Sequence, residues 1–224
     1  MSGLTSLTTV QSATGQTDRV ANWVQQAWND LQVMHSDWGW MRSSTLNAGG
    51  ASFVPGAGVY RMPLGTGAGT VGVAAADFAS WVEDSFRNYV TTTGVTSEIL
   101  MECVDYDAWR NGYMYGAQQA VQTRPVVIAI AGDMTVMCGP PSNGSYTITA
   151  DYYVAPTTMS ADADTPTGLP AQYHMCIVYL ALWKYGYYQA ASEVVDRAKR
   201  EYRTLYNQLA AKYLPRLRAG GALA

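Results

Sequence analysis

Tyr146-Thr147-Ile148-Thr149-Ala150-Asp151-Tyr152-Tyr153-Val154 alternates polar and apolar residues, whereas Val195, Ala198, Tyr202, Leu205 and Leu209 recur at alternating steps of three and four. The first pattern has the period of a half-buried strand; the second marks one face of a helix. A chain that carries both, with strands in the middle and helices after them, is α+β.

Upstream of that strand the pattern stays β-like. Arg124-Pro125 leads into two strands, Val126 to Ile130 and Thr135 to Cys138, joined by Gly132-Asp133. Trp81 to Val90 reads as one strand, paired through Thr93-Gly94 with Thr96 to Met101, and short strands flank Pro55-Gly56. The glycines between Gly65 and Gly72 read as a flexible loop. They lack the strand-before, helix-after context of a dinucleotide site and the Gly-Lys-Ser or Gly-Lys-Thr of a phosphate loop. Tyr106, Trp109 and Tyr113 are spaced by three and four, which predicts a short helix near 105–116.

Helical patterns bracket the strands. Val20, Trp23, Val24, Ala27, Trp28, Leu31 and Met34 form one apolar stripe, with Thr17 or Asp18 as N-cap. Tyr173 to Tyr185 reads as an apolar helix interrupted at Gly186. Tyr188 to Tyr213 reads as a long second one ended by Pro215. The predicted architecture is a helical bundle of the N-terminal helix plus two C-terminal helices, with an inserted antiparallel β-sheet or sandwich lobe. The boundaries are an extended arm at 1–15, the bundle at 16–37 and 171–214, the β-rich lobe at 38–170 and a tail at 215–224.

Charged residues make up 14% of the 224-residue chain, against roughly 25% in ordinary soluble proteins. So few charges suit surfaces that partners cover. The net charge of −3 argues against a dedicated nucleic-acid binder. The basic residues concentrate at the end, in Arg197, Lys199, Arg200, Arg203, Lys212, Arg216 and Arg218, and leave the rest acidic. Cys103, Cys138 and Cys176 are odd in number and lack metal-ligand spacing, so they read as free thiols. Met1 to Thr5 has no basic or apolar leader pattern and does not read as a signal peptide. No apolar run is long enough for a transmembrane helix, so no membrane partner is expected.

Little in the chain promises chemistry. The two histidines, His35 and His174, read as hydrogen-bonding residues at helix ends rather than bases. Asp162-Ala163-Asp164 lacks the further oxygen ligands of a calcium loop and reads as a structural turn. No catalytic residue, cofactor or metal is assigned.

Arg124-Pro125, Gly139-Pro140-Pro141, Asp151-Tyr152-Tyr153-Val154-Ala155-Pro156, Leu169-Pro170, Tyr173-His174 and Tyr213-Leu214-Pro215 follow one another in an order that resembles the head-to-tail adaptor (connector) proteins of tailed bacteriophages. Trp38-Gly39-Trp40-Met41-Arg42 and Tyr60-Arg61-Met62-Pro63 fit the earlier part of that pattern. The resemblance implies a non-enzymatic virion protein at the head–tail interface, assembled in the host cytoplasm. It implies a homo-oligomeric ring, commonly of twelve copies, beneath the portal protein. Tail, nozzle or stopper proteins would bind the other side. Genomic DNA would pass through the hole without sequence-specific binding. Candidate portal-docking residues are Tyr213, Leu214, Pro215, Arg216, Leu217 and Arg218; candidate subunit-interface residues are Trp38, Trp40, Trp109 and Tyr113. Three alternatives stay open: another neck or minor tail protein, a small-molecule-binding α+β protein using the aromatic surface near Trp109, and DNA binding through the basic end.

Overall fold

A computed structural model describes residues 15–47, 49–159, 161 and 163–215. The chain divides into two compact units. One holds the residues up to Met41 and from Pro156 onward; the other runs from Arg42 to Ala155. The β unit is thus shorter than the 38–170 lobe read from the sequence, and 38–41 and 156–170 lie with the helices.

The helical unit contains α1 (Gln16–Val33), α3 (Met175–Tyr188) and α4 (Ser192–Tyr213). Ala27, Trp28 and Leu31 of α1 meet Cys176, Ile177, Leu180 and Ala181 of α3 and Tyr202 and Leu209 of α4 in one buried cluster. This is the bundle that the three- and four-residue spacing predicts. Thr17 and Asp18 lie inside the first turn of α1, whose N-cap is Gly15. Asp18 there faces the positive end of the helix dipole.

The break between α3 and α4 differs from the expected one. α3 runs through Gly186 to Tyr188, and the turn falls at Gln189–Ala191, where Ala190 has φ 52°. Gly186 is a contact rather than an interruption. A Cβ there would sit 2.8 Å from Val195 Cγ2 and 3.2 Å from Val195 N, so the missing side chain lets α4 fold back closely on α3.

Among the described residues the β unit holds eleven short strands and α2 (Tyr106–Tyr113). Asp105 caps α2, its side chain accepting the Asp107 N–H at 3.0 Å. The strands are β1 (Arg42–Ser43), β2 (Ala51–Phe53), β3 (Arg61–Met62), β4 (Phe78–Trp81), β5 (Arg87–Val90), β6 (Ile99–Leu100), β7 (Glu102–Cys103), β8 (Val127–Ile130), β9 (Val136–Gly139), β10 (Tyr146–Ala150) and β11 (Tyr152–Val154). Three sheets result, ordered β1-β11-β4, β2-β10-β5-β6 and β3-β9-β8-β7. All pairs are antiparallel except β7 with β8. That parallel pair departs from the antiparallel expectation.

Two stretches expected as single strands are each bent into two. Residues 146–154 divide at Asp151 into β10 and β11, and the stretch up to Val90 divides at Glu83–Ser85 into β4 and β5. The corners coincide. Val82 N donates to Asp151 O at 3.0 Å, and Asp151 N donates to Ser85 Oγ at 2.9 Å. The β1–β2 segment turns at the same place, aided by Gly50 at φ 74°, where a Cβ would lie 2.7 Å from Thr45 N and 2.9 Å from Ala150 O. One three-stranded ribbon therefore changes direction at Asp151 and contributes to two sheets. Polar–apolar alternation continues through the corner, so the bend leaves no mark on the periodicity.

The Gly65–Gly72 segment is closed rather than loose. Gly65 N donates to Val73 O at 2.7 Å, Thr70 Oγ1 lies 2.6 Å from both Gly65 O and Gly67 O, and Val71 and Val73 are buried in the core.

Candidate docking surface

The C-terminal end of α4 is built into the helical unit. Tyr213 packs edge-on against Tyr173, with ring centroids 6.0 Å apart, and Leu214 N donates to Ala210 O at 3.0 Å. The close approach of Gly39, whose Cβ would lie 3.0 Å from Tyr213 O, fixes the same end from another side. Tyr213 and Leu214 are half-buried on the bundle core, so the chain leaves the unit at Pro215 from a fixed point. Arg216, Leu217 and Arg218, and the tail to residue 224, lie outside the described residues.

The basic residues of α4 are not all free. Lys199 Nζ lies over the rings of Trp183, at 5.1 Å, and Tyr187, at 5.5 Å. Lys212 Nζ stands 5.4 Å from the Tyr213 ring centroid. Such contacts set each ammonium group against an aromatic face, a cation–π arrangement.

The tryptophans proposed for subunit contacts lie inward. Trp38 is fully buried, its Nε1 donating to Leu31 O at 2.9 Å, and Trp40 stacks on Trp28 with centroids 5.7 Å apart. Trp109 is buried between Tyr60, at 6.0 Å, and Tyr106, at 5.8 Å. Tyr113 is half-buried against Gly139. Trp38 and Trp109 thus serve the cores of their own units, which leaves them no face for a second copy to touch. The outer rings beside Trp109 do reach solvent. Tyr60 and Tyr106, with Arg61, Arg110 and Met137, line an open cleft of about 540 Å³ in the β unit.

Both histidines are hydrogen-bonded at helix ends. His35 Nε2 lies 2.7 Å from the Tyr206 hydroxyl, and His174 Nε2 donates to Leu169 O at 2.9 Å. Asp164 accepts the Ala161 N–H at 2.7 Å, as expected of a structural turn, while Asp162 lies outside the described residues. No group of His, Cys, Asp and Glu fit for a metal occurs among the described residues. No described helix is long and apolar enough to cross a membrane.

Arg124 and Asn88 were not marked as a pair by the sequence. Arg124 Nε donates to Asn88 Oδ1 at 2.7 Å, and its Nη2 donates to Asn88 O at 2.9 Å and Ser97 O at 2.6 Å. Asn88 is fully buried and donates in turn to Pro125 O. The Arg124-Pro125 dipeptide is therefore a clamp on β5 and the turn after it.

The family model described as SU10 adaptor protein matches residues 5–223. The chain belongs to that family. It is a bacteriophage head-to-tail adaptor, a structural protein of the virion neck that works through contacts with other neck and capsid proteins. No curated protein matches it.

Proposed function

We propose that this adaptor is one subunit of a ring, of twelve copies as the head-to-tail resemblance implies, that joins the portal to the tail. The C-terminal end docks on the portal, and tail, nozzle or stopper proteins meet the opposite side. The genome passes through the ring. Assembly takes place in the host cytoplasm.

The observation that carries this reading is the anchored end of α4. Tyr213 and Leu214 are held on the bundle core, so the residues after Pro215 start from a fixed position. Those residues include Arg216 and Arg218, at the end of an otherwise acidic chain. A ring has heterologous interfaces that cover two different faces of each subunit, which accounts for the low share of charged residues. An acidic body also suits a DNA channel, because each added basic contact would strengthen binding to phosphates.

The test is charge reversal, with Arg216→Glu and Arg218→Glu combined in the full chain. Capture by purified portal should be lost while the thermal unfolding curve stays unchanged; undiminished capture overturns the docking assignment. Class averages of the complex should show a ring coaxial with the portal.

A further inference from the structure

The helical unit has an apolar groove that nothing described in this chain fills. It encloses about 400 Å³ between Gln16, Val20, Trp23 and Val24 of α1 and Val178, Ala181, Leu182 and Tyr185 of α3. No charged side chain among the described residues lines it. Val20 and Val178 on its walls are 37% and 47% exposed, and Met175, one turn before Val178, is 45% exposed. Most of α3 is apolar on every side, a composition expected of a helix covered all round. The bundle covers only part of it.

We propose that the groove is filled by the chain's own N-terminal segment, with Leu4, Leu7 and Val10 seated against Val20, Trp23, Val178 and Leu182. Residues 1–14 lie outside the described ones; three observations select them. The groove begins at Gln16, so the segment joins the chain at its mouth. Gly15, at φ 67° and ψ −122°, has the backbone of the first central position of a type II′ turn, which reverses direction and favours glycine. The composition also matches: Met1 to Gly15 contains no Asp, Glu, Lys or Arg, and Leu4, Leu7 and Val10 are spaced by three. The C-terminal residues are a poorer fit, because Arg216 and Arg218 would meet a groove with no acidic group. The far end at Val24 is eight residues along α1 from Gln16, about 12 Å at the helical rise, which the five residues from Val10 to Gly15 can span. The seated segment covers the α1–α3 face and withholds it from other copies.

The experiment places the photo-crosslinker benzoylphenylalanine at Val178 in the full-length isolated protein. Equal amounts of ¹⁴N- and ¹⁵N-labelled chains are mixed before irradiation. The expected product joins position 178 to the tryptic peptide ending at Arg19, in pure-isotope form only. A mixed-isotope product would mean that a neighbour's segment fills the groove, and absence of a link to residues 1–14 would mean that the segment does not fill it; either overturns the proposal. As a second measurement, Leu4→Asp combined with Leu7→Asp should raise bis-ANS fluorescence several-fold with the far-UV spectrum unchanged, and unaltered fluorescence counts against it. Neither measurement needs a portal or a ring, so failure here is separate from failure of the docking assignment.

Discussion

Asp151 Oδ2 accepts two hydrogen bonds from Arg42, from Nη2 at 2.7 Å and from Nε at 3.0 Å, at the corner where β10 becomes β11. Its Oδ1 accepts the Thr45 N–H at 3.0 Å, and its backbone binds Val82 and Ser85. A single acidic residue therefore holds all three bent strands. Asp151→Ala should cost about 2–4 kcal/mol, since it leaves a guanidinium and a backbone N–H without their acceptor in a partly buried site. The midpoint of urea unfolding measures the loss; a variant as stable as the parent would show that the corner holds without the carboxylate.

The same group predicts a pH dependence. Burial pushes the Asp151 carboxyl up, but hydrogen bonds from Thr45, Arg42 and Ser44 and the Arg42 charge outweigh it and hold the carboxyl below its ordinary value. A depressed folded-state value means that the stabilisation is present above the unfolded value of about 3.9 and is lost as pH falls through the folded one. The stability gap between the parent and Asp151→Asn should be constant from neutral pH to about 5 and then narrow on acidification. A gap that stays constant or widens in acid would contradict the assigned sign.

The helices were legible because their cores are written in three- and four-residue steps. Ala27, Trp28 and Leu31, or Ala198, Tyr202 and Leu209, state their buried face directly. The corner at Asp151 was not legible, since a strand that bends between sheets keeps its alternation. Gly186 was misread because a glycine that ends a helix and one that admits a neighbouring helix look alike in sequence. Trp38 and Trp109 looked like seam residues, yet each is consumed by its own unit. Of the C-terminal end, the sequence supplied the charges; where α4 is fastened depended on Tyr173, forty residues before Tyr213.

Gly186→Ala sets two effects against each other. Removing a helical glycine favours folding by roughly 0.5–1 kcal/mol, but the new Cβ would meet Val195 Cγ2 at 2.8 Å and Val195 N at 3.2 Å. The backbone atom cannot rotate away, so the crowding should prevail, with a net loss of about 1–3 kcal/mol. Val195→Ala in the same chain should restore part of it by removing Cγ2 while leaving the backbone contact. A Gly186→Ala protein that melts higher than the parent would show that α4 is not packed this closely.

The thiols should differ in reactivity. Burial pushes Cys138 up to about 12 and Cys176 up to about 11, whereas Cys103 is half-exposed and raised by burial and by Glu83. Thiolate is the reactive form, so none of the thiols should react fast with DTNB at neutral pH, and Cys103 should react first. All three free cysteines should titrate in guanidinium. Rapid modification of Cys138 in the folded protein would be incompatible with its burial.

Gln32 is the least obvious residue in the helical unit, a buried amide beside Leu31 on α1. Its Oε1 accepts the Thr157 N–H at 2.8 Å, and its Nε2 donates to Thr157 O at 2.9 Å. The side chain thus pairs with the backbone where the chain returns to the helices after Pro156. Gln32→Leu keeps the approximate volume but leaves both Thr157 groups without a partner, at a cost of about 1–3 kcal/mol. Gln32→Glu should be worse near neutral pH, because a carboxylate cannot donate to Thr157 O and adds a buried charge. For a chain of this size the first change should lower Tm by about 2–4 °C for each kcal/mol lost. Lowering the pH should favour the Glu variant selectively, as its protonated form regains a donor. If Gln32→Leu melted with the parent, the re-entry of the chain at Thr157 would be held by packing alone.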